Sequence, residues 1–558
     1  MAEKKRVLAG SIGDCVHVAG VTRFLAIAQE AGYETYFTGP ATDLEAFVDA
    51  VVHFDPDVIG VSYRLTPENA RVLFRELREM LAAAGVLGRK RIFAGGTPPV
   101  AAVAREFDYF DAVFSGEETP HQVRRILEGA PEDEPTEQNF PQRTVERIRW
   151  KAPYPLLRHH FGIPAQTIAP TVEGIARIAE AGVLDVISLG ADQDAQEHFF
   201  HPELQDPKSK GAGGVPFRSE DDLRALYAAS RRGNFPLMRS YSGTADHLRY
   251  ADVLVRTIHN AWCATSLFWF NDMDGRGPSP LEQSIREHQA LMRWHGERDI
   301  PVEGNESYHW GMRDAPDTVV CASATIYAYN AKHYGVRDYI MTYMFQSPPM
   351  LNNAMDLARA LAAIELTEQF RSADFRIWLQ TRTGLLSYPV NVYRARAHLA
   401  QSTMLMMSLR PHMIHVVGHT EADHAATAEE VIEAATMTQE VVETALRGNP
   451  DMTADETVQT RKAELIAETG VLLEAIRELG ARMDSDDPLA DARVLARAVA
   501  VGLLDAPQLV NNRYAPGRVR TRSVEGRMVA VDAEGRPLRE AERVAAALAA
   551  GEAGEPSD

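Results

Sequence analysis

The sequence predicts an α/β protein built in series: a Rossmann-like (flavodoxin-like) domain over residues 1–130, a linker over 131–160, a (β/α)8 TIM barrel over 161–445, and a small C-terminal helical and α+β extension over 446–558. Three observations predict it. In the first 130 residues, short apolar runs alternate with amphipathic stretches and end in glycine or serine, the pattern of a parallel sheet covered on both faces. From Gly129 to Pro141 the chain is rich in Pro and Glu with little to bury, as a linker is. Beyond it, eight strand candidates are separated by helical stretches, the order of a closed β/α barrel.

The first strand, Val7 to Ala9, runs into Gly10-Ser-Ile-Gly-Asp-Cys-Val-His-Val-Ala-Gly20 and then a helical pattern through Phe24, Ile27 and Ala28. A histidine in that loop, His17, lies where open α/β sheets bind ligands, at the carboxyl end of a strand. Three more runs end in the same chemistry: Val58 to Ser62 with Arg64 and Leu65, Arg91 to Ala94 with Gly95 and Gly96, and Phe110 to Phe114 with Ser115 and Gly116. Small residues at successive strand ends leave a groove in which backbone can approach a flat or tail-like ligand.

In the barrel region the strand candidates are Ala165 to Ala169, Asp185 to Leu189, Pro236 to Tyr241, Ser266 to Asn271, Pro301 to Asn305, Tyr339 to Phe345, Phe375 to Thr381 and Met413 to Gly418. Glu282 to Arg298 and Ala354 to Phe370 show apolar residues at helical spacing. Barrel chemistry sits at the carboxyl ends of strands. Those ends carry Asp192, Gln193 and Asp194, Arg239 and Tyr241, Asn271 and Asp272, Asn305, Glu306, Tyr308 and His309, Tyr343 and Gln346, Gln380 and Arg382, and His419, Thr420 and Glu421. Such a ring suits a polar organic substrate. The extension reads as two long helices, Glu429 to Arg447 and Thr457 to Gly480, a segment Arg513 to Arg520, a hairpin from Gly526 to Gly535 and a helix from Glu540 to Ala549.

Composition narrows the class. A chain of 558 residues, 45% apolar, is expected to hold two or three domains. A net charge of −20 argues against a nucleic-acid partner, because phosphate binding draws on clustered Lys and Arg. Cys15, Cys263 and Cys321 are scattered, which supports neither a disulfide framework nor a Cys-rich metal site. The N-terminus carries no signal-like apolar core and no run reaches membrane-spanning length, so a cytoplasmic protein with no membrane partner is expected. The histidines His198, His201, His309, His419 and His424 lack zinc-type helical pairing, and His415 and His419 fall on and after a strand candidate, where that spacing does not bring side chains together.

His17 and Gly20, Ser62, and Gly95 with Gly96 resemble the cobalamin-binding domain family with a D-x-H-x-x-G motif followed by S-x-L and G-G elements. The resemblance covers roughly residues 5 to 130, with two departures. The aspartate is Asp14, three residues before His17, while Cys15 holds the usual position; the third place of the S-x-L element is Arg64, with Leu65 one later. The resemblance implies that His17 is the lower cobalt ligand, displacing the cofactor's own base, with Asp14 as its supporting partner. It also implies a cofactor-binding set of Asp14, His17, Gly20, Ser62, Arg64, Gly95, Gly96 and Gly116.

From about residue 160 to 545 the chain is similar to the barrel subunit of adenosylcobalamin-dependent glutamate mutase. The similarity rests on Pro236-Leu-Met-Arg239, on Ile340 to Thr342 preceded by Tyr334-Gly335-Val336, on Val417 to Thr427, on Gly502 to Pro507 and on Arg513 to Arg520. It implies that Arg239 binds a substrate carboxylate and that Glu421 touches the adenosyl ribose. The loop after Leu189 lacks the family's other substrate arginines, the segment around Ala264 lacks its catalytic-site glutamate, Phe270 stands for a tyrosine and Val417 for a lysine. The cofactor role is therefore carried over and glutamate as substrate is not. The expected function is an adenosylcobalamin-dependent radical isomerase acting on a small carboxylic or amino acid, as a homodimer. Tyr241, Asn271, Glu306 and Gln380 would shape the pocket beside Arg239. The alternatives are a corrinoid-dependent methyltransferase and a cobalamin-binding sensor or carrier without turnover. A pyridoxal-dependent aminomutase is disfavoured, because the barrel region offers only Lys208, Lys210 and Lys332 for a Schiff base.

Overall fold

The computed structural model describes residues 4–116, 118, 120–129 and 136–552. It divides into two compact units, over residues 1–133 and 134–558.

The first unit is a five-stranded parallel sheet of β1 (Arg6–Ser11), β2 (Glu34–Phe37), β3 (Val58–Ser62), β4 (Arg91–Gly95) and β5 (Ala112–Phe114), in the order β2-β1-β3-β4-β5. The helices are α1 (Ala19–Glu30), α2 (Leu44–Phe54), α3 (Pro67–Ala83), α4 (Pro98–Ala104) and α5 (Pro120–Glu128). Strand alternation explains the two layers. Val7 and Ala9 of β1 pack with Val21, Leu25 and Ala28 of α1, while Leu8 faces Phe47 of α2 and Phe74 of α3. Asp43 and Thr66 cap α2 and α3 by accepting from Ala46 N–H and Asn69 N–H. The strand order reverses between β1 and β3, the switch point at which such sheets open a crevice beyond their carboxyl ends.

The second unit is a nearly closed barrel of eight parallel strands: β6 (Leu156–Phe161), β7 (Val186–Leu189), β8 (Leu237–Arg239), β9 (Cys263–Thr265), β10 (Val302–Gly304), β11 (Asp338–Phe345), β12 (Arg376–Thr383) and β13 (Met413–His415). Their order is β8-β7-β6-β13-β12-β11-β10-β9. No ladder joins β8 to β9 among the described residues; the seam is held by Ala261 N–H donating to Met238 C=O at 2.8 Å.

Two strands lie elsewhere than expected. The first is Leu156–Phe161, not Ala165 to Ala169, so helix Thr144–Lys151 and most of β6 fall in the stretch 131–160 that reads as a linker. The run Leu-Leu-Arg-His-His-Phe hides its strand because Arg158 and His160 point into a polar barrel interior rather than an apolar one. The fourth is Cys263–Thr265, and the aromatic run Ser266 to Asn271 is a loop. Its Leu267 and Phe268 N–H groups donate to the Glu306 carboxylate at 2.7 and 3.2 Å instead of to a neighbouring strand.

Helix Glu456–Arg482 lays Leu465, Leu472, Leu473 and Ile476 on the core formed with helix Asp317–His333. The terminal hairpin pairs Thr521–Val524 with Arg527–Ala530, so Gly526, at φ +80°, is its turn rather than its first residue. Among the described residues no helix is long and apolar enough to cross a membrane.

Candidate functional site

His17 is exposed in the loop that follows β1. That loop is held from beneath: Ser11 Oγ–H donates to Cys15 C=O at 2.7 Å and Ala41 N–H to the same carbonyl at 3.0 Å. Gly13 turns it at φ +63°, where an added Cβ would stand 2.8 Å from Leu73. The group nearest the imidazole is a thiol: Cys15 Sγ lies 4.0 Å from His17 Nδ1. Asp14 accepts from the Tyr63 hydroxyl at 3.1 Å, and among the described residues it makes no hydrogen bond to His17.

Beside His17 a cleft of about 430 Å³ runs between α1 and the ends of β3, β4 and β5. Its lining includes His17, Gly20, Ser62, Arg64, Gly95, Gly96 and Gly116, every residue expected to bind the cofactor in this unit except Asp14. Its apolar depth is formed by Phe24, Phe93 and Phe114, whose ring centroids lie 5.8 to 6.1 Å apart. Glu118, also on the lining, accepts from Ser115 N–H at 2.9 Å and Gly116 N–H at 3.0 Å and so fixes the loop after β5.

The glycines are of two kinds. A Cβ on Gly96 would sit 2.5 Å from Tyr63 C=O, so packing alone requires glycine there. A Cβ on Gly20 or Gly116 would meet nothing within 4 Å, and on Gly95 only Val61 C=O at 4.0 Å. Those positions hold open space that the protein does not fill. An exposed imidazole beside a cleft with unfilled space at its glycines fits a cobalamin, whose metal takes a nitrogen ligand and whose tail needs such space. A valine at Gly95 is therefore expected to abolish cobalamin binding while leaving the thermal midpoint nearly unchanged; difference spectra of added cobalamin and a melting curve check both.

The barrel interior carries a second constellation, arranged in two layers. The lower is a charged layer centred on Glu303 of β10. Its carboxylate accepts from Arg158 Nη2 at 3.2 Å, Gln380 Nε2 at 2.9 Å, Thr342 Oγ1 at 3.1 Å and Trp262 Nε1 at 2.6 Å. Arg239 Nη2 lies 3.8 Å away. Burial pushes the Glu303 carboxyl up, but the guanidiniums of Arg158 and Arg239 outweigh it and hold it at about 2. Arg158 is brought down by burial to about 10 and stays charged at neutral pH. Arg239, 1% exposed, makes one long hydrogen bond, to Ser188 Oγ at 3.4 Å, and its Nε and Nη2 have no hydrogen-bond partner.

Above that layer Tyr241 meets His160, hydroxyl to Nε2 at 3.0 Å. Burial, followed by the charges of Arg158, Arg239 and Arg382, holds His160 well below its usual range and therefore neutral. His159 pairs with Glu421 at 2.9 Å, and the same carboxylate accepts from Gly418 N–H.

The cavity at the barrel mouth, about 610 Å³, is lined by Tyr241, Tyr308, His309, Gln346 and Arg382 among others. Of the residues expected to be catalytic, Tyr241 lies on this wall; Arg239 and Gln380 belong to the charged layer beneath. Asn271 donates to Phe268 C=O and Ser284 Oγ and braces its own loop. Glu306 accepts from Ser266, Leu267, Phe268 and Trp310, and burial pushes its carboxyl up to about 7. Thr244 and Ser347, also on the wall, lie in the loops after β8 and β11, just beyond the residues expected at those strand ends. Among the described residues no group of three or more His, Cys, Asp or Glu could hold a metal ion.

Residues 5–123 match the B12 binding domain family. Comparison with curated proteins gives no match. Three solved structures are similar. A cobalamin-binding protein from Desulfitobacterium hafniense DCB-2 is 22% identical at a TM-score of 0.20 over 23% of this chain, which spans 59% of that protein. The rubisco-like protein MtnW from Alicyclobacillus acidocaldarius is 14% identical at 0.33, over 58% of this chain and 71% of that one. The cobalamin-dependent S-adenosylmethionine radical enzyme OxsB, with aqua-cobalamin and S-adenosylmethionine bound, is 11% identical at 0.19, over 89% of this chain and 70% of that one. The N-terminal unit is a B12-binding domain on a parallel sheet. The chain thus carries a domain of the B12 binding family, followed by a nearly closed eight-stranded parallel barrel.

Proposed function

We propose that the chain is an adenosylcobalamin-dependent radical isomerase, a carbon-skeleton mutase acting on a small carboxylic or amino acid. One observation carries the reading: a cobalamin-binding chain also presents a barrel-mouth cavity of about 610 Å³ whose buried polar atoms lack protein partners. A carrier or sensor without turnover has no use for such a cavity.

His17 would hold the cobalt from its lower face, and Gly20, Gly95 and Gly116 would pass the displaced tail along backbone. Bound adenosylcobalamin supplies a carbon radical by homolysis of its cobalt–carbon bond, able to take hydrogen from a substrate. The chain's own residues bind and shield. Tyr241, Tyr308 and His309 line the cavity, and His309 and the His160 that meets Tyr241 are held neutral, largely by burial. The wall carries Glu197, Arg276 and Arg382 beside uncharged donors and acceptors such as Tyr241, Tyr308 and His309, a lining that can orient a polar substrate. The field of Arg158 and Arg239 over the single Glu303 carboxylate leaves the barrel interior positive, which favours an acid as substrate.

The test is anaerobic incubation of the full chain with adenosylcobalamin and a panel of amino and carboxylic acids. Electron paramagnetic resonance is expected to show a cob(II)alamin signal coupled to an organic radical, with an isomer of one acid in the product. Methyl transfer from methylcobalamin with no radical signal would replace this reading by the methyltransferase. Tight cobalamin binding with neither reaction would replace it by the carrier.

A further inference from the structure

We infer that Arg382, not Arg239, is the anchor for the substrate's carboxylate, and that the cavity above it takes a small acid with a second hydrogen-bonding group at its far end. The inference rests on the barrel mouth being the substrate site.

The argument begins with charge. In the barrel interior the other arginines face carboxylates: Arg158 and Arg239 share Glu303, and Arg276 and Arg313 share Asp274. Arg382 has no carboxylate within ion-pair distance among the described residues, and its hydrogen bond is a long one, Nε–H to Thr383 C=O at 3.5 Å. The cavity wall also carries Glu197, whose carboxylate accepts from Gln193 at 3.3 Å and stands 3.8 Å from His198; among the described residues no ion pair joins it to Arg382. A half-buried guanidinium that faces a cavity and is held in no ion pair is a ready partner for a carboxylate, which it can grip through two parallel N–H bonds.

Position separates the two arginines. Arg382 lines the cavity and Arg239 does not. On β12 Arg382 follows Gln380 by two residues, so both side chains point to the same side of the strand. Gln380 closes the charged layer on Glu303, and Arg382 stands one step nearer the mouth, paired in register with Met344 of β11 and His415 of β13. Its guanidinium also lies 5.7 Å from the Tyr308 ring centroid. The charge of Arg382 reaches His160, Tyr308, His309, Tyr388 and His415, and also Glu421, a carboxylate within its field but not within ion-pair distance.

The rest of the wall supplies the second half. His309 is 4% exposed and neither ring nitrogen has a hydrogen-bond partner; Gln346 Oε1, Ser347 Oγ and Thr244 Oγ1, all buried, are likewise without one. All four residues line the cavity. Buried polar atoms left unpaired cost about 1–3 kcal/mol each, so such a cluster on one wall marks where a polar ligand group belongs. Two wall residues, Gln346 at φ +55° and Phe270 at φ +66°, hold the left-handed backbone region that L-residues avoid. Gln346 is kept there by its N–H donating to Asp356, itself gripped by Arg359. Strain maintained by a buried network is a mark of a functional wall.

The experiment measures the binding of succinate, L-glutamate and their amides to the full chain by calorimetry, for the wild type, Arg382→Gln and Arg382→Lys, with melting curves and cobalamin difference spectra on each. Arg382→Gln is expected to weaken the acids by about 10- to 100-fold, to leave the amides within about 2-fold, and to leave the cobalamin spectrum unchanged. Arg382→Lys should recover part of the loss, since the charge returns without the fork. Unchanged acid affinity in a folded Arg382→Gln chain overturns the inference, as does a wild type that binds no acid in the panel. If the acids bind through Arg382 but no radical forms with adenosylcobalamin, the anchor stands and the mutase reading alone fails.

Discussion

Replacing His17 with alanine is expected to cost the chain its coordination of cobalamin through protein nitrogen. The cleft lining of Gly20, Gly95 and Gly116 remains in that variant, so some affinity through the tail survives. The loss should be at least the about 10- to 100-fold that removing a mere supporting partner of a metal ligand causes. The direct readout is the cob(II)alamin resonance spectrum. Coordination by one imidazole splits each cobalt line through a single nitrogen, and labelling the protein's histidines with nitrogen-15 should change that splitting in the wild type and not in the alanine variant. An unaltered spectrum and affinity in the variant would remove His17 from the metal and with it the cofactor geometry proposed above.

The second large effect concerns the barrel. Glu303→Ala strips the shared carboxylate from Arg158 and Arg239, which are 2% and 1% exposed. Removing one member of a buried charge cluster leaves the others uncompensated at a cost of about 3–5 kcal/mol, and chemical denaturation should register it. The pH dependence has a definite sign. The Glu303 carboxyl is held at about 2 in the folded chain against 4.5 for the ordinary glutamate. The unfolded chain therefore takes up the proton first as pH falls. The stabilisation from this group is complete above pH 4.5 and is lost progressively between 4.5 and 2. Glu303→Gln, which cannot titrate, should lack that acid limb; a stability profile indistinguishable from the wild type would show that the carboxylate is not held as described.

The two units differ in how far they can be read from sequence, for physical reasons. In the first, the cleft is made by absence: Gly95 and Gly116, at or just past strand ends, and Gly20, at the start of α1, are recognisable because a missing side chain is itself the signal. Phe24, Phe93 and Phe114 carry no such signal, since an aromatic residue reads equally as core or as cavity wall. In the barrel, seven of the eight strands lie within or close to an apolar run, and the exception is instructive. β6 was obscured by Arg158, His159 and His160, the residues that make its interior polar. Asn271 and Glu306 stand at the ends of the expected strands Ser266 to Asn271 and Pro301 to Asn305; the first of these ends at Thr265 instead, and both side chains hold the loop after it. Arg382 stood in the ring of strand-end residues, yet nothing in its neighbours in sequence distinguishes an arginine with a counter-ion from one without. That difference arises only when strands far apart in the chain are brought side by side.

The seam between β8 and β9 bears on how the mouth behaves. Seven of the barrel's joints are ladders, and the eighth is pinned by the bond from Ala261 to Met238. A hoop with one soft joint can widen or tighten there while every other joint keeps its register, because the least-bonded element is the first to yield. The seam beside Arg239 and Trp262, where Ser240 N–H also donates to Asn260 Oδ1 at 3.0 Å, is then the place at which the opening offered to an incoming molecule would change first.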